Sequence, residues 1–174
     1  DALPISRQMF YSQDVVTPDT HLEFMRQRRP HDLVFVLEAT EGELPCWDPQ
    51  KGPDLDWWPV GMLSLTVDVH NHQAEAGRMF IDPVQQGKGY GRLADFLQLH
   101  YAFELLNLRS VWGEVYLDNR ARLALAESMG WEVEGASLPR GRGEIAIVRY
   151  RRETWEKKKW ALGERWGIKW SSRS

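Results

Sequence analysis

The sequence holds a single cysteine, Cys46, among its 174 residues, which excludes an internal disulfide and leaves the fold to rest on apolar burial. No apolar run approaches the ~20 residues that a membrane-spanning helix needs, and no basic stretch followed by an apolar one stands near the start to direct export. Surplus positive charge is also missing: 22 Lys and Arg against 25 Asp and Glu give a net charge of −3, so the chain lacks the usual electrostatic footprint of a nucleic-acid binder. These absences predict a cytoplasmic protein with no membrane or nucleic-acid partner. No internal repeat, low-complexity segment or linker divides the chain. Its length suits one domain over residues 1–174 with one sizeable core.

Two familiar phosphate loops are absent as well. Gly87-Lys88 is followed by Gly89, where a Walker A loop needs Ser or Thr; Gly87-x-Gly89 is followed by Arg92, where a dinucleotide fingerprint needs its third glycine. His70 and His72 form half of a zinc site, but no cysteine follows at ligand spacing, so no metal is expected.

What the chain does have is a strand, a glycine-rich turn and a long helix between Gln73 and Phe103. Gly77, Met79 and Ile81 alternate with Ala74, Ala76 and Phe80 up to Asp82-Pro83, which predicts a strand largely buried on both faces. Leu93, Phe96, Leu97, Tyr101 and Leu105 then recur at helical spacing. Between them, Gly87, Gly89 and Gly91 clear side chains from a turn at a helix N-terminus, where several N–H groups can converge on one anion. That is chemistry suited to a pyrophosphate.

Gln86-x-x-Gly89-x-Gly91 resembles the Q/R-x-x-G-x-G/A signature of the GNAT superfamily of acyl-CoA-dependent N-acyltransferases. Downstream, His100 to Ala136 is similar to the second half of such a domain, with a helix end, a strand, Asn119, a short helix and Gly130-Trp131. Within the superfamily the chain resembles the branch of ribosomal-protein N-terminal acetyltransferases and amino-sugar N-acetyltransferases, the latter also through its opening from Ser6 to Gln27. The resemblance covers roughly residues 6–155. It implies an α/β (α+β) fold with a central, mainly antiparallel sheet flanked by helices and splayed at the acetyl-CoA site. It implies that acetyl-CoA is held by the backbone of Met79, Phe80 and Ile81, by Gln86, Gly87, Lys88, Gly89, Tyr90, Gly91 and Arg92, and by Asn119.

Read in chain order, residues 1–11 offer no strand of the kind with which such domains begin, so the chain is either truncated there or leaves a sheet edge to be covered. Thr17-Pro18-Asp19 starts a helix that runs to about Arg28, and Leu33 to Leu37 reads as a strand buried on both faces. From Glu43 to Pro59 the chain carries three tryptophans and four prolines. A loop of this length between two strands is uncommon and biased towards function. Either it walls a substrate pocket, with Trp47, Trp57 or Trp58 as stacking surfaces and Asp54 or Asp56 to receive a cationic amine, or its tryptophans pack on the sheet edge or on a partner.

Amine acetylation needs a base for the amine, donors for the oxyanion and a proton for the departing thiolate. Glu75 lies on the central strand before the acetyl-binding segment and matches a glutamate that the resembled branch uses as a base, commonly through water; the alternative is an ordinary cross-strand glutamate. His70 and His72 read as turn residues, His100 as a core histidine, and His21 and Arg7 as residues of segments that wall the acceptor pocket in related enzymes. Many GNAT enzymes carry a tyrosine seven residues after the asparagine to protonate the thiolate; here that position is Ala126, which leaves water, Asn119 or a helix dipole, with Tyr90 and Tyr116 as possible substitutes. The tail from residue 151 to 174, with four tryptophans among basic residues and glutamates, is expected to pack on the body or on a second subunit, as in a homodimer. The acceptor expected is a primary amine on an amino sugar or nucleotide-sugar, with a peptide N-terminus second and an inactive CoA-binding module third. An α-amine, with a pKa near 8, yields its proton more readily than a lysine amine near 10.4, so lysine-like amines are disfavoured.

Overall fold

The computed structural model describes residues 23, 26, 27, 30–39, 58–140 and 143–166. Of the helix expected from Thr17 to Arg28, Glu23, Arg26 and Gln27 are described and are helical. Residues 1–22, with Arg7 and His21, the loop through Trp57, and residues 167–174 lie outside the described residues.

Six strands form one sheet: β1 (Asp32–Ala39), β2 (Trp58–Asp68), β3 (Gln73–Ile81), β4 (Ser110–Tyr116), β5 (Glu132–Arg140) and β6 (Gly143–Arg151), in the order β1-β2-β3-β4-β6-β5. Every neighbouring pair is antiparallel except β3 with β4, which run parallel. Among the described residues, the helices α1 (Tyr90–His100), α2 (Arg120–Met129) and α3 (Arg152–Glu164) pack on one face of the sheet. Phe96 and Leu99 of α1, Ala126 and Met129 of α2 and Trp155 of α3 share a core with Leu65, Ala74, Val111, Val148 and Tyr150 of the sheet. No described helix is long and apolar enough to cross a membrane.

Two burial expectations are corrected. Val36 in β1 is 61% exposed, and in β3 only Ala74 is fully buried. The described helices cover only one face of the sheet, so β1 alternates between buried and exposed side chains from Val36 to Ala39 while most of β3 is half-buried.

The turn from Val69 to His72 is held by Asp68, whose Oδ1 accepts from the N–H groups of His70 and Asn71 at 3.2 Å each. Both histidines are exposed there, as turn residues. Beyond His100, α1 passes into a π-helical turn, Tyr101–Leu105. Arg152 at the head of α3 donates to the carbonyl of Phe103 within this turn at 2.8 Å and to that of Leu108 beyond it at 2.9 Å. The tail thus packs on the body: Trp155 is fully buried, and its Nε1 donates to Glu104 at 2.6 Å.

His100 lies between Phe96 and Trp155, each at 6.3 Å between ring centroids, and burial pulls its pKa below 6.5 against the opposing charge of Glu104. The depressed value means that the folded chain resists a proton that the unfolded chain binds near 6.5, so stability from this group is lost as pH falls below that point. The melting temperature should therefore drop between about pH 6.5 and pH 5.5, and His100→Gln should flatten that part of the profile. An unchanged slope in the variant would assign the acid sensitivity elsewhere.

Candidate active site

The turn between β3 and α1 is built to hold an anion. Asp82 caps a short 3-10 turn, Pro83–Gln85, by accepting from Val84 N–H at 2.9 Å. Gln86 Nε2 donates back to the Ile81 carbonyl at 3.1 Å, and Lys88 Nζ to Gln85 Oε1 at 2.8 Å, so the glycine segment is fixed at both flanks. Gly89 is the N-cap of α1 with φ of +93°, a left-handed conformation that side chains with a branched Cβ do not adopt readily. Arg92 and Leu93 N–H both return to Gly89 O. Between Gln86 and Arg92, the N–H groups from Gly87 to Gly91 donate to no backbone acceptor among the described residues. They stand at the positive end of the α1 dipole, so the site offers directed donors with a favourable field.

The sheet opens next to this loop. β3 and β4 pair through Gln73 with Ser110, Ala74 with Val111 and Glu75 with Trp112, and the ladder stops there. Gly113 lets the base of the opening form, because a Cβ on it would stand 3.0 Å from the Ala76 carbonyl oxygen. Beyond it, Ala76 to Ile81 and Gly113 to Tyr116 diverge, and the backbone groups of one strand no longer meet the other.

β3 also carries an extra residue where it leaves β4. Its register with β2 runs from Ser64 opposite Gly77 to Met62 opposite Phe80, and Arg78 in the bulge has φ of +33°. Gln98, a buried amide on the apolar side of α1, donates to the Ser64 carbonyl at 2.8 Å, which satisfies a strand carbonyl beside the bulge. The bulge overturns the simple alternation expected for this strand: Met79 and Ile81 join Ala74 and Ala76 on the side of α1, packing near Val60, Leu63 and Ala94, instead of sharing a face with Gly77. A bulge re-aims backbone N–H groups as well as side chains, and it does so at the mouth of the opening.

Glu75 stands at the last paired rung, across from Thr66 on β2 and Trp112 on β4. It faces away from α1, α2 and α3, on the same side as Asp32, Thr66, Trp112 and Arg149, which follow one another across the sheet. Arg149 is neutralised there by Glu134 at 2.7 Å. Glu114, two residues beyond Trp112, extends the same face along the part of β4 that pairs with β6 but no longer with β3. Asn119 is the N-cap of α2, its Oδ1 accepting from Arg122 N–H at 3.1 Å, which leaves its amide N–H groups to donate. Ala126 lies in the core under α2, Tyr116 is buried at the open end of β4, and Tyr90 begins α1 against the cluster of Val60 and Leu63. Trp58 opens β2. His21 and Trp57 lie outside the described residues.

Behind the loop, Asp95 of α1 is fully buried and receives Arg122 Nη2 at 3.1 Å and Trp131 Nε1 at 2.8 Å. Burial pushes its carboxyl up, and Arg122 with the indole N–H pulls against that. The Arg122 guanidinium lies 5.3 Å from the Trp131 ring centroid, so one carboxylate ties α1, α2 and the entry to β5 together.

A sheet opened between parallel neighbours, a bulge at its mouth and an anion loop leading into a helix form one continuous candidate site. The acetyltransferase (GNAT) domain family matches residues 6–132, and the chain belongs to that family, whose members use acetyl-CoA as acyl donor. The spermidine N(1)-acetyltransferase of Vibrio cholerae is 30% identical over 76 residues, which is 44% of this chain and 44% of that enzyme. The alignment therefore spans less than half of the relative's length. The crystal structure of spermidine N-acetyltransferase from Vibrio cholerae in complex with CoA and spermine shares the fold, with a TM-score of 0.68 at 20% identity over 86% of each chain. A dodecameric structure of spermidine N-acetyltransferase from the same organism gives 0.58 at 21% identity over 79% of this chain and 73% of that one. These relatives are polyamine enzymes, whereas the motifs in the sequence suggested the ribosomal-protein or amino-sugar branch.

Proposed function

We propose that this chain transfers the acetyl group of acetyl-CoA to a primary amine on a small cationic acceptor, with a polyamine as first choice. The observation that carries it is the end of the β3–β4 ladder at Glu75 and Trp112, from which the opening runs along β3 past the bulge to the anion loop that follows Ile81. Acetyl-CoA supplies an activated acyl group as a thioester. The N–H groups of Gly87 to Gly91 would hold its pyrophosphate, and the backbone of Met79, Phe80 and Ile81 would face its acyl end. A donor aimed at the developing oxyanion is worth about 3 kcal/mol in a water-poor site. Glu75, through a water, takes the proton that the amine must lose; Asn119, through its amide, is the chain's candidate for steadying the departing sulfur.

The spermidine substrate of the Vibrio cholerae relatives favours a cationic acceptor. Asp32, Glu75 and Glu114 lie on one face of the sheet, the face away from the described helices. Lysine-like amines, disfavoured from the sequence, return to the argument through a polyamine's own chemistry: one ammonium can rest on a carboxylate while lowering the pKa of its neighbour. An amino sugar remains the second reading, favoured by Trp47, Trp57 and Trp58 as stacking surfaces. The spermidine enzyme that forms a dodecamer supports an oligomer for this chain too, and the exposed Val36 and Val133 on the outer strands suit one.

Free-thiol release from acetyl-CoA with spermidine, a nucleotide-linked amino sugar and a short peptide tests the proposal. Amine-dependent release is expected with spermidine, and Glu75→Gln should lower kcat by about a hundredfold with little change in acetyl-CoA affinity. Release with the sugar alone would transfer the proposal to the second reading. CoA binding without release for any amine would leave a binding module that has lost its chemistry, as Ala126 would suggest.

A further inference from the structure

The groove beside the anion loop is lined by Arg92 of α1, Met129 at the end of α2, and Lys158, Ala161, Leu162, Arg165 and Trp166 from α3 and its end. Its volume is about 290 Å³, and its ionisable lining is wholly cationic: Arg92, Lys158 and Arg165, with no acid. All but Arg92 and Met129 of the lining lie beyond residue 132, outside the span that matches the family. Trp166 joins groove and loop. It lines the groove, and its ring reaches to 3.0 Å from the place a Cβ on Gly89 would occupy. Arg92 joins them too, standing in the first turn of α1. Lys158 leans over the end of α2, where its amine would touch a Cβ on Gly130. Both Lys158 and Arg165 are exposed.

An acyl-CoA carries its pyrophosphate on the 5′ oxygen and a further phosphate on the 3′ oxygen of the same ribose, with adenine attached to that sugar. A second phosphate must then fall within one sugar of the first, and a purine must lie beside both. We infer that the groove formed by Arg92, Lys158, Arg165 and Trp166 is a subsite for the 3′-phosphorylated adenosine of the acyl-CoA, contributed mainly by the C-terminal helix. Lys158, Arg165 and Arg92 provide the positive field for the phosphate dianion, and the Trp166 indole supplies a flat surface for the base. The inference rests on the reading of Gly87 to Gly91 as the pyrophosphate loop. It goes further in making recognition of the nucleotide end depend on α3.

Calorimetric titration of the full chain with CoA and with 3′-dephospho-CoA tests this without any transfer of an acetyl group. CoA should bind about tenfold more tightly than its dephospho analogue, as expected for loss of one charge-assisted contact set. Arg165→Ala and Lys158→Ala, both at exposed positions, should shrink that ratio towards one by weakening CoA alone, and Trp166→Ala should weaken both ligands. Equal affinities for the two ligands in the wild-type chain, or a ratio that survives in both Arg165→Ala and Lys158→Ala, would overturn the subsite while leaving the pyrophosphate loop in place. Failure of either ligand to bind would overturn the loop reading and the subsite together.

Discussion

Gly89→Val should abolish measurable acetyl-CoA binding while the chain remains folded. The residue has φ of +93° as N-cap of α1, and a Cβ there would stand 3.0 Å from the Trp166 ring. A β-branched residue forced into this conformation costs about 1–3 kcal/mol, which the segment can escape only by rotating the peptides that aim its N–H groups. Those peptides carry the anion site, so the strain falls on binding in preference to global stability. Titration calorimetry should show affinity reduced by at least about a hundredfold, equivalent to ~2.7 kcal/mol. Gly91→Ala is the control, because a Cβ there meets only Leu125 at 3.7 Å and Ile81 at 4.0 Å. It should bind acetyl-CoA within about threefold of the parent, less than 1 kcal/mol. Near-parental affinity in the Gly89 variant would remove this loop as the pyrophosphate site.

The parts of this site made by local geometry are those the sequence displays. Gln86, Gly87 and Gly89 sit close in sequence, and their spacing reports the turn because backbone conformation at a helix start depends on neighbours one to four residues away. Asn119 and Gly130 are legible for the same reason: one caps α2 and the other ends it in a left-handed conformation. The splay between Met79–Ile81 and Val111–Tyr116 was implied by the resemblance, and the ladder ending at Glu75 and Trp112 agrees with it.

The bulge at Arg78 was not legible, because an extra residue in one strand is defined only against its partner, and nothing in QAEAGRMFI separates bulged from regular alternation. Gln98 gave a partial signal, a polar residue within an apolar helical pattern, but its acceptor, the Ser64 carbonyl, is 34 residues away. Gly113 likewise reads as an ordinary strand glycine until the Ala76 carbonyl is placed against it. The carboxylates Asp32, Glu75 and Glu114 come from three strands, and only the registers of β1 with β2, β2 with β3 and β3 with β4 put them on one face. Long-range registry therefore decides which carboxylates share a face, and no local motif displays it.

Asp95→Ala should cost about 3–5 kcal/mol of folding stability, the largest loss expected from any polar substitution in the described core. The wild-type carboxylate is fully buried, and burial alone would push it towards its neutral form; Arg122 at 3.1 Å and the Trp131 indole N–H at 2.8 Å oppose that. Removing it leaves a guanidinium only 17% exposed without its counter-ion and an indole N–H without its acceptor. Breaking one side of a buried pair is costly for this reason, even where the intact pair itself contributes little net stability. Asp95→Asn separates charge from hydrogen bonding, since an amide oxygen can still accept from Trp131 but cannot neutralise Arg122. It should fall between the parent and Asp95→Ala in urea midpoint. Trp131→Phe, which removes the N–H together with part of a buried ring, should cost about 2–3 kcal/mol. Because Asp95 lies one turn and a half beyond the anion loop on the same helix, acetyl-CoA should raise the midpoint of Asp95→Asn wherever the loop still forms, by mass action on the folded state. Urea titrations of the three variants with and without acetyl-CoA read both effects at once, and an Asp95→Ala midpoint equal to the parent's would show that the buried carboxylate does not hold α1 to α2.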